Sequence, residues 1–190
     1  ADSMKGPQQL HGYCEAVATL PKNDSTKLLI TQATNSLNAI YDSLQAIRTE
    51  MDRLASMLPE YELVMGMEGI GKVTGPQLMA EVGDVRRFSH KGALVAYAGV
   101  DASPYQSGSF DSKSRHVSKR GSPHLRRVLF VIMSMTLIRA NTANPVFCFM
   151  DKKRAEGKHF YVYTVAGSAK FLRIYYAKVK EYLNALEKTA

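Results

Sequence analysis

Residues 30–58 read ITQATNSLNAIYDSLQAIRTEMDRLASML, and the spacing of the apolar residues in this stretch sets the architecture of the chain. Ile30, Ala33, Leu37, Ile40, Leu44, Ile47, Met51, Leu54 and Leu58 recur at alternating steps of three and four, the a/d pattern of a coiled-coil seam. The positions between them, among them Asn35, Asn38, Asp42, Gln45, Arg48, Asp52 and Arg53, are polar. Asp24 or Ser25 is placed to cap the start and Pro59 stops the run. This predicts a coiled-coil helix over residues 25–59 with a stripe about 43 Å long. A core-facing helix of a monomeric bundle is the alternative, but a narrow 3.5-residue period over this length favours pairing with another chain, as a homodimer or higher oligomer.

Upstream, residues 1–24 carry Gly6, Pro7, Gly12 and Pro21 with little periodicity and read as a tail or the remnant of a preceding unit. Downstream of Glu60, breakers fall at short intervals and most segments between them have a helical period. Residues 61–65 form a short helix, 66–71 a turn, 73–82 a second helix closed by Gly83, and 91–98 a third closed by Gly99. A Ser/Gly-rich basic loop follows over 100–121, with room for a hairpin. Ser122 and Pro123 set the cap and first residue of a helix through about residue 140, and Asn144 and Pro145 repeat that signal for a helix ending at Gly157. A last amphipathic helix runs from about 165 to 187. The fold class is mainly α: the coiled-coil helix, then a compact helical domain over 60–190. That domain comprises a helix-hairpin-helix-like part (60–99), the serine loop (100–121) and a helical core (122–190).

The charge is uneven. Twenty-five Lys and Arg against 17 Asp and Glu give the 190 residues a net charge of +8, which favours polyanionic partners, nucleic acid first. Residues 112–150 contain no acid, while Lys113, Arg115, Lys119, Arg120, Arg126, Arg127 and Arg139 lie within them. A solvated face usually mixes signs, so this run points to phosphate contact. Cys14 and Cys148 make neither a disulfide framework nor a metal cluster, which fits a reducing compartment. The longest apolar run, 128–138, falls short of the roughly twenty residues that span a bilayer, so no membrane partner is expected. No export signal is visible, and the expected location is the cytoplasm.

Two motifs carry candidate chemistry. In Met67-Glu68-Gly69-Ile70-Gly71-Lys72-Val73, the glycines Gly69 and Gly71 let a turn approach a phosphate, N–H groups at the next helix start face it, and Lys72 adds charge. Ile70 is expected to point into the hairpin core, and a plain tight helix–helix connection is the bland alternative. The second is Ser103-Pro104-Tyr105-Gln106-Ser107-Gly108-Ser109 with Ser118-Lys119-Arg120-Gly121 and Leu125-Arg126-Arg127. Ser107 precedes a glycine that opens backbone access, and nearby arginines can stabilise a phosphate oxyanion. No His–Asp partner stands at triad-like spacing; His116 and His124 serve equally as phosphate donors or solvated loop residues. The aromatics Tyr161, Tyr163, Tyr175, Tyr176 and Phe171 recur at core-like spacing and are expected inside rather than as base-stacking platforms.

The order of Gly69-Ile70-Gly71, Ala80-Glu81-Val82-Gly83-Asp84 with Phe88, Ala96-Tyr97-Ala98-Gly99-Val100, Gln106-Ser107-Gly108, Ser118-Lys119-Arg120-Gly121 and Leu125-Arg126-Arg127 resembles the C-terminal transposase domain of the IS110/IS116 insertion-sequence family. The resemblance covers about residues 60–185 and includes the preceding coiled coil. It implies a bacterial, nucleoid-associated, bridge-RNA-guided recombinase that exchanges DNA strands through a covalent 5′-phosphoserine. The nucleophile falls on Ser107, with Ser109 the runner-up, and Arg126, Lys119 and Arg120 clamp the phosphate. DNA, guide RNA and a second copy of the chain are the implied partners. Family members join this domain to an N-terminal RuvC-like domain holding divalent metal, Mg²⁺, on four acids. Upstream of residue 25 stand only Asp2, Glu15 and Asp24, too few for that site. The chain is therefore expected to bind no metal itself and to be inactive in strand cleavage when alone. A non-enzymatic helix-hairpin-helix module, dimeric and architectural, and a coiled-coil assembly protein with an incidental basic face are the competing readings.

Overall fold

The computed structural model describes residues 23–101, 106–107, 110–111 and 117–189. Its elements are α1 (Asp24–Ala55), α2 (Tyr61–Met65), α3 (Thr74–Val82), a 3₁₀ turn (Val85–Arg87), α4 (Lys91–Ala98), β1 (Gln106–Ser107), β2 (Phe110–Asp111), α5 (Pro123–Arg139), α6 (Pro145–Ala155) and α7 (Phe160–Thr189). The chain is mainly α, a long N-terminal helix followed by a compact helical region. It divides into two compact units, the first ending at Glu50 and the second beginning at Met51.

In the first unit, the N-cap of α1 is Asn23, whose Oδ1 accepts the Thr26 N–H at 2.8 Å. The expected caps, Asp24 and Ser25, instead lie inside the first turn, where the Asp24 carboxylate complements the positive end of the helix dipole. Most of the apolar seam stays in solvent: Leu37 is 52% exposed, Ile40 65% and Ile47 58%. The half-buried positions are the seam residue Ile30 and, on a neighbouring face, Thr26, Thr34, Asn38, Tyr41, Gln45 and Arg48.

The helix ends at Ala55, short of the expected residue 59. Pro59 disfavours helical backbone at Leu58, and the N–H groups of Met57 and Leu58 turn back to the carbonyls of Leu54 (3.3 Å) and Ala55 (3.0 Å). Within the second unit the Tyr61 hydroxyl donates to Asp52 Oδ1 at 2.8 Å, tying α2 to the last turns of α1. That bond to a carboxylate raises the Tyr61 phenol above its usual value.

Helix α7 is the spine of the second unit, with α2, the 3₁₀ turn, α4, α5 and α6 all packed against it. Its buried residues Tyr163, Phe171, Leu172, Tyr175, Tyr176, Val179 and Leu183 follow helical spacing. They meet Leu78, Leu94, Leu125, Leu129, Ile132 and Met133, all 0% exposed. Each such side chain contributes about 1.5–3 kcal/mol of burial. Burial, with the charge of Glu60 adding, pushes the Tyr175 phenol far above its ordinary value.

Helix α7 starts at Phe160 rather than near residue 165. His159 caps it, accepting the Val162 N–H on its carbonyl at 2.9 Å and the Tyr161 N–H on Nδ1 at 3.4 Å. Histidine is not among the usual N-caps, so sequence alone does not mark this start. One aromatic expected in the core is not there: Tyr161 is 62% exposed and stacks on His159 and Phe130 at 5.5 and 6.0 Å between ring centroids.

Candidate nucleic-acid interface

The serine loop leaves and rejoins the helical body through a narrow neck. The Ser118 N–H donates to the Asp101 carbonyl (3.0 Å), the Lys119 N–H to Gly99 (3.2 Å) and the Ser122 N–H to Tyr97 (2.8 Å). A side-chain bond reinforces this ladder, Ser118 Oγ to Asp101 Oδ1 at 2.6 Å. The two strands touch because Gly121 has no side chain. A Cβ there would fall 1.9 Å from the Tyr97 carbonyl oxygen and 2.7 Å from Gly99 N. Lys119 takes φ +51, a left-handed backbone that costs a non-glycine residue about 1–2 kcal/mol, and the ladder holds it there.

Beneath the neck, Arg126 is half-buried and its Nη1 donates to the carbonyls of Ala98 (3.1 Å) and Gly121 (3.0 Å). It thereby joins the C-terminus of α4, where carbonyls lack helical partners, to the returning strand. Ser122 caps α5, accepting the Leu125 N–H at 3.1 Å while donating to Glu81 Oε2 at 2.8 Å. The neck therefore has three anchors on the core: Arg126, Glu81 through Ser122, and Asp101 through Ser118.

Around this neck Lys119, Arg120, His124 and Arg127 are exposed. Ser107 lies in the two-stranded hairpin, paired with Phe110, while Gln106 pairs with Asp111. Lys113, Arg115, His116 and the runner-up Ser109 lie outside the described residues.

The glycine hairpin sits elsewhere on α5. Gly69 is buried with φ +87, and a Cβ on it would fall 2.3 Å from Thr136 Oγ1 and 2.8 Å from the Ile132 carbonyl. Its close approach is to helix α5. Arg126 and Thr136 are ten residues apart, about 15 Å along that helix. Ile70 is buried, as expected, whereas Gly71 and Lys72 are exposed, with the Gly71 N–H donating to Thr74 Oγ1 at 2.9 Å. Glu68 braces the far side, accepting from the Asn141 and Asn144 amides at 2.8 and 2.9 Å. The structure thus gathers Lys119, Arg120 and Arg126 at the neck and places Gly69, Gly71 and Lys72 further down the body.

Glu81, Asp101 and Ser118 were not singled out for these anchoring roles. Their partners are 17 to 41 residues away in sequence, so no local spacing marks them. Among the described residues no group of three His, Cys, Asp or Glu side chains could hold a metal ion. No described helix is long and apolar enough to cross a membrane.

Residues 61–146, spanning the hairpin, the neck and α5, match the model described as the Transposase IS116/IS110/IS902 family. These residues are similar to the transposase domain of that family. It is similar to the insertion element IS110 43.6 kDa protein of Streptomyces coelicolor, 24% identical over 144 residues, covering 76% of this chain and 35% of that protein. It is also similar to the pilin gene-inverting protein of Moraxella bovis, 27% identical over 144 residues, covering 74% of this chain and 44% of the relative. A putative transposase of Sinorhizobium fredii is 28% identical over 115 residues, 54% of this chain and 28% of its own length. The matched region thus spans less than half the length of each of these curated relatives. The ladder, the Ser122–Glu81 bond and Arg126 all lie inside the matched region.

Proposed function

We propose that these residues are the nucleophile-bearing, DNA-gripping part of a transposase that exchanges DNA strands, with Ser107 as nucleophile. Ser107 Oγ bonds to the scissile phosphorus, the bond to the 3′ oxygen breaks, and the serine proton passes in net to that leaving oxygen. The products are a 5′-phosphoserine and a free 3′ hydroxyl, and attack by another 3′ hydroxyl on the phosphoserine completes strand exchange. Ser109 is the second choice for the nucleophile. Lys113, Arg115, Lys119, Arg120 and Arg127 neutralise flanking phosphates. Arg126 bears on the reacting phosphate through the remaining donors of its guanidinium. Exposed Gly71 and Lys72 hold backbone at a distance from the cut, and Gly69 shapes their turn.

The observation that carries this reading is the anchored neck. It holds both ends of the serine-bearing segment against the core and beside a concentration of cations, inside the region that matches a transposase family. The Moraxella bovis relative is a gene-inverting protein, which fits strand exchange better than passive binding. In the same reading a RuvC-like domain upstream supplies the acids and Mg²⁺, a guide RNA selects the DNA, and the exposed seam of α1 pairs two chains.

The test uses the longer polypeptide with its metal, guide RNA and a DNA carrying both sites. The reaction is trapped, digested, and searched by mass spectrometry for a nucleotide on a serine peptide. The expected result is an adduct on Ser107, absent from Ser107→Ala. Recombined DNA with no adduct on any serine would move catalysis to the upstream domain. Recombination unaffected by Ser107→Ala would move the nucleophile to Ser109 if the adduct is found there, and would otherwise leave the residues above as a binding module only.

A further inference from the structure

We propose that a second nucleic-acid contact lies in the groove between the start of α4 and the C-terminal half of α7, and that it holds the phosphodiester backbone of duplex DNA. The proposal rests on the DNA-acting reading above. The groove has a volume of about 540 Å³ and is lined by Lys91, Tyr176, Lys180, Glu181, Asn184 and Lys188 among others. Three ammonium groups therefore face one carboxylate.

Lys180 is the fixed centre of the site. Its Nζ donates to Tyr176 Oη at 2.8 Å and lies 5.0 Å from the centre of the same ring. The Tyr176 hydroxyl donates in turn to the Phe88 carbonyl at 3.0 Å, so its lone pairs are left to face Lys180. An ammonium has three donors, and one is taken by a neutral hydroxyl. Among the described residues no carboxylate forms an ion pair with Lys91, Lys180 or Lys188; the nearby Glu187 pairs with Arg86 instead. A half-buried cation positioned by neutral groups lacks an anion.

Lys91 points to the same conclusion by breaking a local rule. It is the first residue of α4, at the positive end of the helix dipole, where acids are favoured and lysine adds repulsion. His90 Nδ1 already accepts the Gly92 and Ala93 N–H groups at 3.1 and 3.2 Å, so the helix start has its own cap and Lys91 is not needed there. Its placement raises the positive potential of the groove at a cost to α4, as expected of a functional position.

Spacing selects an extended ligand. Lys180 and Lys188 are eight residues apart on α7, about 12 Å along its axis. A strand of duplex DNA presents phosphates repeatedly over such a length, one per about 3.4 Å of axial rise. One inorganic phosphate cannot engage both ammonium groups, whereas one DNA strand can. Asn184 lies between them on the same face and can donate to an intervening phosphate.

The experiment measures binding of the 190-residue chain to a short DNA duplex by fluorescence anisotropy across a salt series. It compares the wild type, Lys180→Gln/Lys188→Gln, and Arg120→Gln/Arg127→Gln beside the serine loop. Losing two phosphate contacts should flatten the slope of log affinity against log salt by about 1.8 in the groove variant. The loop variant should flatten it separately, and combining the two should add the losses. Where Lys180→Gln lowers the melting temperature, Lys91→Gln/Lys188→Gln carries the test with the same expected loss. An unchanged slope in the groove variants, with weakened binding in the loop variant, overturns the groove and leaves the DNA reading standing. Competition by inorganic phosphate at the affinity of the duplex overturns it in favour of a small-anion site. A wild-type chain that does not bind duplex overturns both.

Discussion

Gly121→Ala is the substitution to which the serine-loop neck should be most sensitive. Gly121 does not need unusual backbone angles, so the cost of alanine there is steric: the new methyl would stand 1.9 Å from the Tyr97 carbonyl oxygen and 2.5 Å from its carbon. Both are backbone atoms at the end of α4 and cannot swing aside, so the returning strand must move. The bonds at risk are Ser122 N–H to Tyr97, Lys119 N–H to Gly99, and Arg126 Nη1 to the Gly121 carbonyl. At about 0.5–1.5 kcal/mol each, their loss totals about 1.5–4.5 kcal/mol. For a chain of this length that lowers the melting temperature by about 3–18 °C. Thermal denaturation reads the loss, and amide hydrogen exchange locates it: the Ser118, Lys119 and Ser122 amides should exchange faster in the variant. Gly157→Ala is the control, because Gly157 has φ +75 and nothing within 4 Å of an added Cβ. It should cost about 1–2 kcal/mol of backbone strain and leave those three amides unchanged. A Gly121→Ala chain that melts within about 2 °C of wild type, with the same exchange at the neck, would refute the packing argument.

The remaining predictions concern the 3₁₀ turn and α1. Asp84 lies below its usual value of 3.8, chiefly through its side-chain bonds to Arg86, so the stability it contributes is present above that value and is lost as pH falls through its lower folded value. Asp84→Asn keeps an acceptor for the Arg86 N–H but removes the charge; because the pair is exposed, it should cost less than about 1 kcal/mol at neutral pH and nothing in strong acid. A penalty in melting temperature that persists unchanged below pH 3 would show that the charge is not the cause. For α1, Ile40→Glu/Ile47→Glu should convert a sedimenting dimer into a species at the 21.1 kDa chain mass. A wild-type chain already at that mass would remove the pairing proposal.

The helices were largely legible because their periodicity and punctuation agree. Ser122–Pro123 and Asn144–Pro145 mark the starts of α5 and α6, and both side chains cap as the pattern requires. The misses lie at helix ends, where more than one local signal competes. His159 caps α7, Asn23 caps α1 ahead of the acid beside it, and the 54–58 turn ends α1 before its proline. The cationic and serine-rich composition around the neck was legible in sequence, and its geometry was not. The anchors linking Glu81 to Ser122 and Asp101 to Ser118 are long-range contacts that no periodicity encodes.

The two glycine-containing motifs illustrate how little a motif says about what its glycines touch. In sequence, Gly69 suggests access for a phosphate and Gly121 closes a basic motif. In the structure each is needed because protein backbone comes within the space of a methyl group, the Ile132 carbonyl in one case and Tyr97 in the other. Both contacts dock an irregular segment onto a helix, at sites about 15 Å apart on or beside α5. Helix α5 therefore serves as a common rail: its start fixes the serine loop through Ser122 and Arg126, and its end fixes the hairpin through Ile132 and Thr136. Its buried face, from Leu125 through Met133 to Thr136, is what keeps that spacing constant. In the strand-exchange reading proposed above, that fixed spacing would let the loop and the hairpin grip one DNA at two points.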